Sequence, residues 1–331
     1  MVFVKKYMVV LLFLMVPISF GASSRSSDQT KHCYYVKKKL NGQTNVKLIK
    51  VCPASKNFQA EMDTFLSSLP PTKGTVIQKK VQAAQEVAQT PSAITLFEPT
   101  YILPFYYTSN PYQQVYAGNT PENQTVQQEE FKAQMSFLFT LWHHMFHSPL
   151  DLNVSYTQLS YWQFYATSQY FRETDYEPAV FVSDQFSKNW LGFLGVVHQS
   201  NGRGGELERS WNRLFAMIFV SGEHWLIMVQ PWILIFQKDS SDLHNPDIAH
   251  YLGYERTVIA FTFWHQELSF MFRNTVESGF SRGAIEVDYS VPIYAKLRFF
   301  MQFFSGYGQS LIEYNHYTNG AGMGVSLNDW I

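Results

Sequence analysis

Phe131–Trp142 reads FKAQMSFLFTLW, and its apolar residues fall on every second position. Phe131, Ala133, Met135, Phe137, Phe139 and Leu141 share one face of an extended chain, while Lys132, Gln134, Ser136 and Thr140 share the other. A period of two is a strand with one greasy side. The alternation returns in Ile285, Val287, Tyr289 and Val291 against Glu286, Asp288 and Ser290. It returns again in Leu297, Phe299, Met301 and Phe303 against Arg298 and Gln302. Strands of this kind build either a sandwich or a barrel.

Composition decides between the two. The chain has 331 residues with a formal charge of -1, which gives no general attraction to nucleic acid. Its 28 Phe, 20 Tyr and 8 Trp make 17% aromatic against only 15% charged, a balance that points to a membrane. Beyond residue 22 no apolar run reaches the roughly 18 residues a spanning helix needs. Even Trp225–Phe236 is interrupted by Gln230 and Pro231. The crossing elements are therefore strands, and a count of about twelve such segments between residues 94 and 331 gives the expectation of an all-β, twelve-stranded antiparallel transmembrane β-barrel.

Ahead of it, Lys5 and Lys6 precede the apolar run Met8–Val16, then Pro17, Ser19, Gly21 and Ala22. This is the build of a secretory signal peptide cut after Gly21 or Ala22, with a retained anchor as the alternative. Residues 23–93 read as a small periplasmic extension, with a helical stretch from Gln78 to Val87. Lys37, Lys38, Lys39, Lys47 and Lys50 form a solvated face or a binding patch. Cys33 and Cys52 are the only cysteines, and an exported compartment permits a disulfide between them.

Loop lengths give orientation. Ser221–His224 and Pro292–Lys296 are short turns, whereas Tyr107–Glu130, Gln237–Leu252 and Ser305–Gly320 are long. Bacterial barrels keep short turns at the periplasm and long loops outside, which puts Asn201–Arg209 on the outer side. His143, His144 and His147 have a metal-like spacing, but Pro149 follows and the stretch falls at a periplasmic turn. The sequons at Asn123 and Asn153 are chance patterns, and no phosphate loop, zinc-protease helix motif or Gly-x-Ser-x-Gly elbow is present.

The chemistry concentrates in Gly195–Phe215, GVVHQSNGRGGELERSWNRLF. On one strand His198 and Ser200 project from the same face, with Cα atoms about 6.6 Å apart from the per-residue rise. Asn212 opens the returning strand and shares parity with Leu214, Ala216, Ile218 and Val220. His198 and Ser200 share parity with Val196 and Leu194, so all three polar residues lie on the lipid side. Either they form a Ser-His-Asn triad, or they are a hydrogen-bonded cluster at a loop margin. Spacing alone leaves both open.

The wider sequence resembles the outer-membrane phospholipase A family of Gram-negative bacteria. The likeness rests on His198-Gln199-Ser200-Asn201-Gly202-Arg203 followed by Arg209-Ser210-Trp211-Asn212-Arg213. It extends to Ser155-Tyr156-Thr157-Gln158, Phe171-Arg172-Glu173-Thr174, Tyr176-Glu177-Pro178 and Asn245-Pro246-Asp247-Ile248. Ser305-Gly306-Tyr307-Gly308 and Ser310-Leu311-Ile312 complete a match over most of residues 95–331.

The resemblance implies a barrel that hydrolyses acyl esters of phospholipids and lysophospholipids (phospholipase A1 and A2 activity), with calcium, as a homodimer. Carried over by position, Ser200 would be the nucleophile, His198 the base, Asn212 the orienting residue and Gly202 N–H an oxyanion donor. Calcium would take the carbonyl of Arg203, the side chain of Glu208 and the carbonyl of Ser168 from a second subunit. Gln158 would lie at the dimer interface. The sequence departs from the family at Gly205, where an acidic residue is usual, and at Glu208, where a small hydroxyl is usual; the charge has moved along the loop. A passive channel and a surface adhesin remain as alternatives.

Overall fold

The computed structural model describes residues 34–39, 46–51, 74–88, 94–235, 244–274, 278–294 and 296–331. Two compact units divide the chain, at Pro71 and Thr72. In the first, β1 (Tyr34–Lys39) pairs antiparallel with β2 (Val46–Val51), Tyr34 opposite Val51. The segment expected to be a signal peptide and the pairing expected between Cys33 and Cys52 lie outside the described residues.

The second unit opens with helix α1 (Val76–Ala88). Its start lies two residues before the expected Gln78, because Thr75 and Gln78 form a reciprocal capping box. Gln78 N donates to Thr75 Oγ1 over 3.3 Å, and Thr75 N donates to Gln78 Oε1 over 3.1 Å. The helix is fastened to the short-turn end of the barrel. Val76 N donates to Gly222 O, Ile77 N to Ser221 Oγ and Lys80 Nζ to Asp329 O, at 3.0, 3.1 and 3.1 Å.

The barrel strands are β4 (Thr100–Thr108), β5 (Glu129–Trp142), β6 (Asp151–Trp162), β7 (Phe171–Asp184), β8 (Trp190–Ser200) and β9 (Ser210–Ser221). They continue as β10 (Trp225–Leu234), β11 (Glu255–Phe263), β12 (Gln266–Arg273), β13 (Ala284–Tyr294), β14 (Leu297–Tyr307) and β15 (Tyr317–Asn328). Each pairs antiparallel with the next, and β15 returns to β4, so among the described residues twelve strands close. A two-residue strand, β3 (Thr95–Leu96), extends the β4 edge along β5. Closure leaves no unpaired edge in the membrane, where each open backbone group would cost several kcal/mol.

The expected alternation is the observed one. In β5, Lys132 and Ser136 are buried in the lumen while Met135 and Leu141 are exposed outside. Rims of exposed rings, Trp142, Phe146, Trp190, Trp225 and Trp264 at the short-turn end and Phe164, Phe171 and Tyr254 at the other, sit where headgroups would meet them.

Side chains fill the lumen, the plugged form of such a barrel. Arg172, fully buried, donates to both oxygens of Glu130 at 2.9 and 2.8 Å and lies 3.0 Å from Glu313. Lys132 Nζ donates to Gln302 Oε1 over 2.6 Å and faces the rings of Tyr101, Tyr106 and Tyr161. What remains is a cavity of about 160 Å³ lined by Lys132, Asp175, Arg213, Arg256 and Glu286 among others.

Candidate active site

Strands β8 and β9 are in register across the site, with His198 opposite Asn212 and Ser200 opposite Ser210. Directly opposed residues bring their side chains within about 5 Å at Cβ. His198 Nδ1 and Asn212 Oδ1 accordingly meet at 2.9 Å. An amide oxygen only accepts, so Nδ1 is the donor in this contact, and in the neutral imidazole Nε2 keeps the lone pair. Ser200 lies two residues along on the same face. That face is the lipid side: its neighbours Leu194 and Val196 are 55% and 45% exposed.

The loop after Ser200 is built around one buried side chain. Asn201 Nδ2 donates to Glu173 Oε1 and Leu207 O, at 2.9 and 2.8 Å, and Oδ1 accepts from the N–H groups of Arg203 and Arg209. Gly202 has φ +63°, a conformation that costs a glycine nothing, and Tyr176 packs against it. On the β9 side Asn245, fully buried, both donates to Ser210 O (2.9 Å) and accepts from Ser210 N (3.1 Å), extending the sheet beyond the end of β10. Sequence reading matched Asn201, Tyr176 and Asn245 only as motif members. Their contacts span 28 residues in one case and 35 in another, and no local pattern reports that.

Arg203 and Glu208 lie in this same loop. Arg203 Nε is 3.0 Å from Glu173 Oε2, which pairs the guanidinium with a side chain on β7. A Cβ built at Gly204 or Gly205 would meet nothing within 4 Å, which leaves open space along the loop. Carbonyl and carboxylate oxygens are donors of the class calcium takes, and two from one chain leave places for water and for a second copy. The residues fit that ion. Ser168 lies in a separate loop, between β6 and β7, held by Gln124, whose Nε2 donates to Ser168 O and whose Oε1 accepts from Ser168 N.

Gln158 is on the outer face of β6, where its Oε1 accepts from Tyr156 Oη (2.9 Å) and its Nε2 donates to Ser160 Oγ (3.2 Å). His143 contacts Asp151 at 3.2 Å at the β5–β6 turn, and among the described residues no group of three metal-ligating side chains occurs.

The phospholipase A1 family model matches residues 77–327, from within α1 to the end of β15. The chain belongs to the phospholipase A1 family. It is 34% identical over 268 residues to a phospholipase A1 of Proteus vulgaris, covering 78% of this chain and 89% of that one. A Neisseria meningitidis protein bearing the phospholipase A1 name is 35% identical over 251 residues, 70% of this chain and 64% of that one. The chain thus spans under two thirds of that relative's length. The Salmonella typhi outer membrane phospholipase, crystallised as a dimer with bound calcium, superposes with a TM-score of 0.67 at 32% identity. That match covers 74% of this chain and 96% of the other. This phospholipase A1 family member is an outer-membrane barrel of Gram-negative type.

Proposed function

We propose that the chain hydrolyses acyl esters of phospholipids and lysophospholipids at the outer membrane, with Ser200, His198 and Asn212 as its triad. The observation that carries this reading is the His198–Asn212 hydrogen bond on the lipid-facing side, two residues from Ser200. A polar pair placed against lipid demands a reason, and an amphiphilic substrate arriving from that side supplies one. Family membership supports ester hydrolysis at phospholipid.

In this mechanism Ser200 Oγ attacks the acyl carbonyl and gives its proton to His198 Nε2. Asn212 Oδ1 holds the Nδ1 proton throughout and favours the imidazolium that forms. The N–H of Gly202 would donate to the oxygen that becomes charged. His198 then returns its proton to the departing glycerol oxygen; in a second round it draws a proton from a water whose oxygen attacks the acyl carbon, and passes that proton to Ser200 Oγ as the acyl–serine bond breaks and the fatty acid leaves. Calcium, held by the Arg203 carbonyl, the Glu208 carboxylate and the Ser168 carbonyl of a second copy, would supply positive charge near the developing oxyanion. A site divided in this way makes the dimer the active form, with Gln158 in its interface.

Fatty-acid release from phosphatidylcholine in mixed micelles tests this, with calcium and with chelator, beside Ser200→Ala. Release that needs both calcium and Ser200 is expected. Release by folded Ser200→Ala at the parent rate would sink the reading.

A further inference from the structure

The ladder between β7 and β8 is interrupted beside His198. Its pairs run Tyr176↔Ser200 and then Ala179↔Val197, so Glu177 and Pro178 have no ladder partners on β8. Toward β6 the same stretch is continuous, including Tyr156↔Pro178 and Thr157↔Glu177. In an antiparallel ladder each residue turns both backbone polar groups toward one neighbouring strand. The two missing pairs are those that need an N–H at position 178 on the carbonyl of His198, and proline has none. Pro178 therefore faces β8 and removes a bond that would tie the backbone of His198 to β7.

On the lumen side, side chains bridge the same three strands at the same level. Gln199 lies between His198 and Ser200, while Trp211 and Arg213 flank Asn212. Trp211 Nε1 donates to Gln199 Oε1 over 2.7 Å, and Arg213 Nη2 donates to the same oxygen over 3.2 Å. Arg213 Nη2 also donates to Glu177 Oε2 over 2.8 Å. The guanidinium carbon lies 4.1 Å from the Trp211 ring centroid and 5.3 Å from that of Trp232, two rings that meet edge to face. Cation–π contact with two rings restricts where the guanidinium can sit and so helps to place its donors. Gln199 joins β8 to β9, and Arg213 joins β9 to β7.

We propose that Glu177, Arg213, Gln199 and Trp211 form a clamp that replaces the backbone bond Pro178 removes and holds His198 and Ser200 in register with Asn212. All four face the lumen, away from the lipid, so they are positioning residues. The inference rests on the hydrolase reading above and deepens it. A strand pinned from behind by side chains keeps the base and nucleophile aligned while its ladder is open on one side.

The clamp is tested by Gln199→Leu, which keeps an apolar body of similar size and removes the acceptor. Because a shift of about 1 Å can cost on the order of a hundredfold, kcat should fall about 10- to 100-fold. KM should move by less than about threefold, since the loss appears only in the transition state. The rate at which an alkyl fluorophosphonate modifies Ser200 should fall in parallel. Pro178→Ala in the Gln199→Leu background supplies an N–H opposite the His198 carbonyl and should restore at least about fivefold in both rates, a coupling read as a double-mutant cycle. A side chain with only a packing role would not be rescued by a backbone donor on another strand. If Gln199→Leu does not assemble, Trp211→Phe removes one donor and carries the same rescue test. Far-UV circular dichroism and thermal midpoints establish that each variant is folded. Parent-level kcat in folded Gln199→Leu, or no recovery in the folded double variant, overturns the clamp. Activity surviving Ser200→Ala would instead sink the hydrolase reading, a result distinct from both.

Discussion

Gly202 and Gly205 provide a matched pair for testing the oxyanion role. Both are left-handed, with φ +63° and +61°, so alanine at either position meets about the same backbone penalty, roughly 1–2 kcal/mol. Their surroundings differ. A Cβ at Gly202 would lie 2.9 Å from Tyr176 Cε2 and 3.5 Å from its Cδ2, whereas one at Gly205 would meet nothing within 4 Å. Gly205→Ala can accept strain in an open loop, and its kcat should stay within about threefold of the parent because the reacting groups keep their places. Gly202→Ala must move either the ring or the peptide that follows Ser200. Loss of one oxyanion donor costs about 10²–10³ in kcat, so a partial displacement should cost on the order of a hundredfold. The assay is steady-state fatty-acid release, with thermal midpoints to confirm that both variants lose similar stability. Equal kcat losses in the two would assign the effect to strain, and parent kcat in Gly202→Ala would show that this N–H plays no part.

Other consequences are open to direct measurement. Asn212→Ala should lower kcat by about 10- to 100-fold with little change in KM, as expected when a base loses its orienting partner, and single-turnover kinetics would separate this from binding. Glu208→Ala should raise the calcium concentration needed for half-maximal activity by about tenfold without changing the maximal rate, since one hard ligand of several is lost; a calcium titration of fatty-acid release checks it. Arg172→Leu would leave the buried carboxylates of Glu130 and Glu313 without their shared cation, which should destabilise the barrel by about 3–5 kcal/mol. Reversible denaturant titration in micelles would measure that loss. Chelator should abolish activity, and added calcium should restore it without refolding.

The strand periodicity of Phe131–Trp142, the aromatic enrichment and the alternation of short and long connections determine a membrane barrel from sequence alone. Side-chain parity along a strand is fixed by the backbone, so the lipid-facing placement of His198, Ser200 and Asn212 also follows from counting residues. Loop contacts do not follow in this way. The capping box at Thr75 was local and readable, yet the docking of α1 on Ser221 and Gly222 depends on residues more than a hundred positions away. Register was likewise decided in three dimensions. The folded sheet places His198 opposite Asn212 and leaves Pro178 without a ladder partner on β8, because pairing is set by loop length and by burial of one face in every strand at once. The lumen network has the same origin. Arg172, Arg213 and Lys132 look like ordinary polar alternations in the sequence, and it is closure of the barrel that converts them into buried charges which must find partners across strands.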